Sequence, residues 1–210
     1  MKKKSIIILI SVITIVIGIA TTILLINKNN SQSKLQKIYT NLSKGQDYIC
    51  TIEEDENNKI IIAKKGENYL TEVISKTIDA EEAEHTTTLI KDDKMYYILH
   101  NREEFYTYPK GESEQNILLD EISQIINENY QKGKEKINGK TYKFEQYDGV
   151  FIFSNELETE ETANTKFYFK GNELAYIKTV IGDKQKIRKI EIKYDVDDSI
   201  FEIPSNYAEV

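Results

Sequence analysis

The sequence predicts an α+β protein: a strongly curved antiparallel β-sheet with helices against its concave face, behind one N-terminal transmembrane helix. Three observations carry this. The chain starts with a long uncharged apolar run; most of the remaining chain alternates apolar and polar residues with period two, broken by short turn-rich connections; and only two later stretches show helical spacing.

The first element is "MKKKSIIILISVITIVIGIATTILLINKNN". Three lysines, residues 2–4 of a basic tip 1–4, precede 22 uncharged and mostly apolar residues, Ser5 to Ile26. At 1.5 Å per residue such a helix reaches about 33 Å, enough to cross a bilayer. Gly18-Ile19-Ala20 offers a small-x-small cleavage site, so a signal peptide is the competing reading. The apolar run continues through Ile23-Leu24-Leu25-Ile26, well past that site, which favours a retained signal anchor. Lysines at the tip hold the N-terminus in the cytoplasm and place the C-terminal domain outside the cell membrane, single-pass. No cysteine stands directly after the apolar run, which excludes lipoprotein processing.

Residues 27–33, "NKNNSQS", read as a polar linker, and 34–210 as the extracytoplasmic domain. In "KLQKIYTNL", Leu35, Ile38, Tyr39 and Leu42 share one helical face, and Gly45 ends the helix. The period then changes to two: "DYICTIEE" alternates Tyr48, Cys50 and Ile52 against Asp47, Thr51 and Glu53, and Asp55–Asn58 turns the chain into "KIIIAKK". Further strands are "NYLTEVISKTI", "HTTTLIKDDKMYYILHNREEFYTYP" and "KTYKFEQYDGVFIFS", then "TKFYF", "ELAYIKTVI" and "QKIRKIEIKYDV". Asn138-Gly139, Gly171-Asn172 and Gly182-Asp183 supply hairpin turns, so the sheet is expected to be a meander. One segment interrupts it. Leu118, Ile122, Ile125 and Ile126 share a helical face in "EQNILLDEISQIINENY", widened by Leu119 and Tyr130, which predicts a helix from Gln115 to Tyr130 with Ser113 as cap and Gly133 as stop.

Charge narrows the partners. Four of the 28 basic residues flank the apolar run and all 35 acidic residues lie beyond it, leaving the exterior part at a formal −11. Nucleic acid is thereby disfavoured, and so is adsorption to an anionic surface except through local lysine clusters. Cys50 is the single cysteine, so no internal disulfide forms; in an alternating strand it reads as a small core residue. No nucleophile elbow, zinc-protease, P-loop or dinucleotide motif is present, and His85 and His100 are the only neutral-pH bases, so no enzyme activity and no cofactor are expected. "DVDDS" lacks the glycine and distal glutamate of a calcium loop, and the Glu81, Glu82, Glu84, His85 cluster reads as a solvated acidic loop; no metal site is expected. Fourteen tyrosines and seven phenylalanines either line a ligand groove or fill a thin core.

The element order, the ending "DDSIFEIPSNYAEV" with Asp198, Ser199, Phe201, Pro204 and Asn206, and the tyrosine-rich stretch "LIKDDKMYYILHNREEFYTY" together resemble the lipoprotein carrier superfamily typified by LolA and LolB, over roughly residues 34 to 210. The resemblance implies a half-barrel whose concave apolar face, covered by helices, holds acyl chains, with the terminal Ile-Phe-x-Ile run as a last, partly buried strand. Where carriers have an R-P-x-x-x-R element this chain reads Lys64-Lys65-Gly66-Glu67-Asn68-Tyr69, so no gating arginine is implied. A chain held by its own helix also does not shuttle.

The expected function is therefore a non-catalytic, membrane-anchored binding module for a lipid, a lipoprotein acyl chain or another apolar ligand. The alternative is a protein-interaction or sensory ectodomain that uses the fold as a solid scaffold. Strand parity and the inserted helix nominate Tyr97, Leu99, Leu118, Ile122, Ile125, Phe167, Phe169, Ile190 and Ile192 as the hydrophobic lining.

Overall fold

The computed structural model describes residues 32–76, 81–111, 117–126, 129–149 and 163–210. The expected membrane span 5–26, the Ser113 cap, the first residues of the inserted helix and the "VFIFS" stretch lie outside them. Among the described residues no helix is long and apolar enough to cross a membrane.

Helix α1 (Lys34–Ser43) comes first, burying Leu35, Ile38 and Leu42 on one stripe and ending where Gly45, at φ +83°, donates to Leu42. Six strands then run as a meander: β1 (Tyr48–Asp55), β2 (Asn58–Lys65), β3 (Asn68–Ser75), β4 (Glu84–Lys91), β5 (Lys94–Leu99) and β6 (Glu104–Pro109). Helix α2 (Ile117–Ile125) intervenes. Five more strands come after it: β7 (Gln131–Ile137), β8 (Lys140–Asp148), β9 (Ala163–Lys170), β10 (Glu173–Ile181) and β11 (Lys184–Lys193). A two-residue β12 (Ala208–Glu209) closes the chain.

All twelve strands form one sheet in the order β12-β6-β5-β4-β3-β2-β1-β11-β10-β9-β8-β7, not closed into a barrel. Two antiparallel meanders are joined where β1 pairs with β11, Cys50 opposite Ile192 and Ile52 opposite Ile190. Asn138-Gly139 makes the tight turn between β7 and β8 with both residues at positive φ, and Asp92-Asp93 makes the same turn between β4 and β5.

The two faces are covered over different halves. On one face α1 and α2 pack across β2, β1, β11, β10, β9 and β8, in a cluster built on Leu35, Leu42, Tyr48, Cys50, Ile62 and Phe167. On the other, the C-terminal segment lays Val196 and Phe201 onto Ala63, Leu70, Leu89 and Ile98. Among the described residues every member of both clusters lies beyond residue 34, and Lys34–Val210 is one compact unit with its own core.

Three expectations are corrected. Gly133 does not stop a helix: α2 ends at Ile125, and Gly133 sits inside edge strand β7 opposite Phe144. A Cβ there would fall 2.4 Å from the Phe144 ring, which therefore lies flat against the bare backbone. The terminal Ile-Phe-x-Ile run is not a strand. Asp197 accepts a hydrogen bond from the Ser199 N–H and starts a 3-10 turn over Asp198–Phe201, which swings Phe201 into the second cluster. The closing strand comes after Pro204 and pairs parallel, not antiparallel, with β6. Finally, "MYYILH", apolar on both faces in sequence and so expected to be covered on both sides, is covered on one alone: Ile98 is buried, whereas Tyr97 stays 38 % exposed.

Candidate functional site

Register decides which expected lining residues meet. Seven of the nine, Leu118, Ile122, Ile125, Phe167, Phe169, Ile190 and Ile192, join the helix-covered cluster. The first six are exposed by 0–4 % only. A void beside them wide enough for an acyl chain would register as accessible surface, so in this arrangement the side chains themselves fill the space between α2 and the sheet. Each of the three α2 residues contributes about 1.5–3 kcal/mol of burial. Tyr97 and Leu99 have the expected parity, since Cys50 is in register with Ile62, Thr71, Thr88 and Tyr97 in turn. They lie beyond the reach of the helices and line a separate 370 Å³ cavity with Glu84, His85, Asn101 and Arg102.

Helix α1 is held to the sheet by one buried carboxylate. Glu145 of β8, 4 % exposed, accepts from the Lys34 N–H at 2.9 Å (Oε1) and from the Leu35 N–H at 3.1 Å (Oε2), with the Tyr147 hydroxyl 3.4 Å from Oε2. The first N–H groups of a helix have no partner within it and sit at the positive end of its dipole, so a carboxylate there satisfies both demands.

Two grooves open on either side of this helix start. One, of 440 Å³, lies between α1 and the β10–β11 end, with Ile38, Leu174, Ile192 and Tyr194 as apolar walls and Lys37 and Glu173 at its rim. The other, of 660 Å³, lies over the β8–β9 end and is lined by Lys34, Lys140, Lys143, Lys170 and Phe169. Lys34 and Asn172 line both. Lys34 Nζ donates to the Gly171 carbonyl and stands 5.5 Å from the centre of the Phe169 ring. Ile192 and Phe169 thus connect the expected lining to open space. The lysines were not legible as a group, because separate elements of the chain supply them.

The groups with chemical capacity are engaged within the fold. His85 and His100 stack at 3.8 Å; His85 Nε2 lies 2.7 Å from Glu72, and His100 bonds the Thr87 hydroxyl at 2.8 Å and the Tyr207 hydroxyl at 3.1 Å. Burial, then the neighbouring His85, lowers the His100 pKa, against a smaller opposing pull from Glu72. The Cys50 thiol is buried and pushed up to about 12. On the opposite sheet face Glu135 accepts from Lys166 at 2.8 Å, Lys178 at 2.9 Å and the Tyr168 hydroxyl at 2.9 Å. Led by the Lys166 bond, these hold its carboxyl down to about 2 despite partial burial. Asp197 caps its own turn and Asp198 pairs with Lys65 at 2.8 Å, so the "DVDDS" acids serve the tail. Among the described residues no group of three or more His, Cys, Asp or Glu is arranged to hold a metal.

No family model and no curated protein matches the chain. Among solved structures, an uncharacterized conserved protein from Thermus thermophilus superposes with TM-score 0.45 at 9 % identity, covering 85 % of this chain and 99 % of that one. LprF from Mycobacterium bovis superposes with TM-score 0.47 at 10 % identity, covering 83 % and 95 %. Likeness at this level assigns the chain to no family.

Proposed function

We propose that the chain is a non-catalytic binding module, anchored in the cell membrane through residues 5–26, whose domain 34–210 lies outside the cell and takes a lipid or other apolar ligand. The observation that carries this reading is the groove beside α1, where Ile38, Leu174 and Ile192 line a 440 Å³ opening within the size range of ligand pockets. The engagement of Cys50, His85 and His100 in packing and hydrogen bonds supports a non-catalytic role. Mass spectrometry of organic extracts from natively purified protein tests the reading: a co-purifying amphiphile at near-stoichiometric amount supports it, and clean extracts from several preparations count against it.

One observation favours the scaffold reading. Beyond the helices, the same sheet face presents Tyr97 at 38 % and Tyr108 at 44 % exposure, next to Met95 and Tyr106. Aromatic surface of this kind suits a protein partner. A photocrosslinker at Tyr97 that captures one protein on cells, and loses it when Tyr108→Lys is added, would favour that reading.

A further inference from the structure

We propose that the cavity lined by Lys34, Lys140, Lys143 and Lys170 binds the phosphate headgroup of an anionic phospholipid, with its apolar part continuing into the groove of Ile38, Leu174 and Ile192. The inference rests on the lipid-binding reading and names the ligand class. Its first support is charge placed against the background. The exterior chain carries a formal −11, yet four lysines line this one cavity and, among the described residues, no acidic one does. Seven lysines elsewhere reach a carboxylate within 4.0 Å. Lys140, Lys143 and Lys170 reach none among the described residues. The carboxylate on the face of β8 that carries Lys143, Glu145, is taken by the two N–H groups of α1.

Register adds a second support. Lys134 of β7 stands directly opposite Lys143 of β8, and like charges paired across two strands repel. An anion bound at Lys143 in the cavity relieves that repulsion, which a neutral ligand does not. Geometry supplies the third: Lys34 and Asn172 border both the basic cavity and the apolar groove, so a charged head and an acyl chain have adjoining places.

The test is co-sedimentation of residues 32–210, which hold their own core, with vesicles of phosphatidylglycerol or of phosphatidylcholine. Binding to phosphatidylglycerol alone is expected. At about fivefold per lysine near a charged surface, the triple variant Lys140→Gln, Lys143→Gln, Lys170→Gln should bind about a hundredfold more weakly. Lys189→Gln, on the far face beside Glu53, should match the parent. Thermal transitions verify folding, and if the triple variant does not fold, Lys170→Gln alone should still show the fivefold loss. Equal binding to both vesicles, or an undiminished triple variant, overturns the headgroup site and leaves the apolar reading standing. Binding of inorganic phosphate without vesicle binding overturns the lipid assignment, and no lipid binding of any kind overturns both.

Discussion

Replacing Glu145 by glutamine tests how the helix layer is attached. The side chain is 4 % exposed and its two oxygens receive separate backbone donors from Lys34 and Leu35. Glutamine keeps one acceptor and turns an N–H₂ group toward the second donor, so one charge-assisted bond is lost and the other becomes neutral. A buried bond to a charged group contributes about 1.5–3 kcal/mol, a neutral one about 1. Losing the charge at the helix start adds about 0.5–1 kcal/mol. The expected destabilisation of Glu145→Gln is then about 2.5–6 kcal/mol. In a urea titration with a slope of about 2 kcal/mol per molar, the midpoint should fall by about 1–3 M. Circular dichroism of the folded variant should keep the strand signal, since no ladder bond is touched. A midpoint shift under about 0.3 M would refute the claim that this carboxylate fastens α1 to β8.

Ile122→Asp should abolish the cooperative thermal transition, because a packed residue 1 % exposed is replaced by an unpaired carboxylate whose burial costs several kcal/mol; a folded variant would show that α2 covers a cavity instead. Gly133→Ala should cost about 1 kcal/mol, read as a melting temperature lower by about 2–4 °C, as the Phe144 ring gives way to the new methyl group; an unchanged or raised melting temperature would show that the ring moves freely. Acid should destabilise the domain in two steps. His100 has its folded pKa below the ordinary 6.5, so the unfolded chain takes up the proton first and stability drops as pH falls below 6.5, a drop His100→Gln should remove. Glu135 is depressed from 4.5 to about 2, so its contribution is full above pH 4.5 and is lost as pH falls through 2; Glu135→Gln should flatten that second limb of the urea-midpoint profile.

What was legible in the sequence depends on how local each signal is. β1 was readable because Tyr48, Cys50 and Ile52 alternate without interruption and are all buried. β7 was not: Gln131–Ile137 is charged on both faces, as an edge strand can be, and carries no period. The inserted helix was found from its apolar face, but its end was placed too late, because Tyr130 belongs to the core by stacking on Tyr147 and not by helical spacing. The tail misled because a 3-10 turn and a strand both interleave apolar with polar residues over four positions, and the Asp197 cap decided between them. For the candidate site, parity placed Tyr97 and Leu99 on the correct face, while the extent of helix cover, a tertiary property, separated them from the rest. Glu145 and the four-lysine cavity could not be read at all: each depends on partners roughly a hundred residues apart, brought together by the strand order alone.

The central claim is that the groove beside α1 takes an apolar ligand, and a titration of residues 32–210 with a fluorescent fatty acid tests it most directly. Saturable one-to-one uptake is predicted, abolished by Ile192→Asp in the groove wall and retained by Tyr97→Lys on the uncovered end of the same face, with a cooperative thermal transition verifying that each variant is folded. Uptake that does not saturate, or that survives Ile192→Asp unchanged, would contradict it.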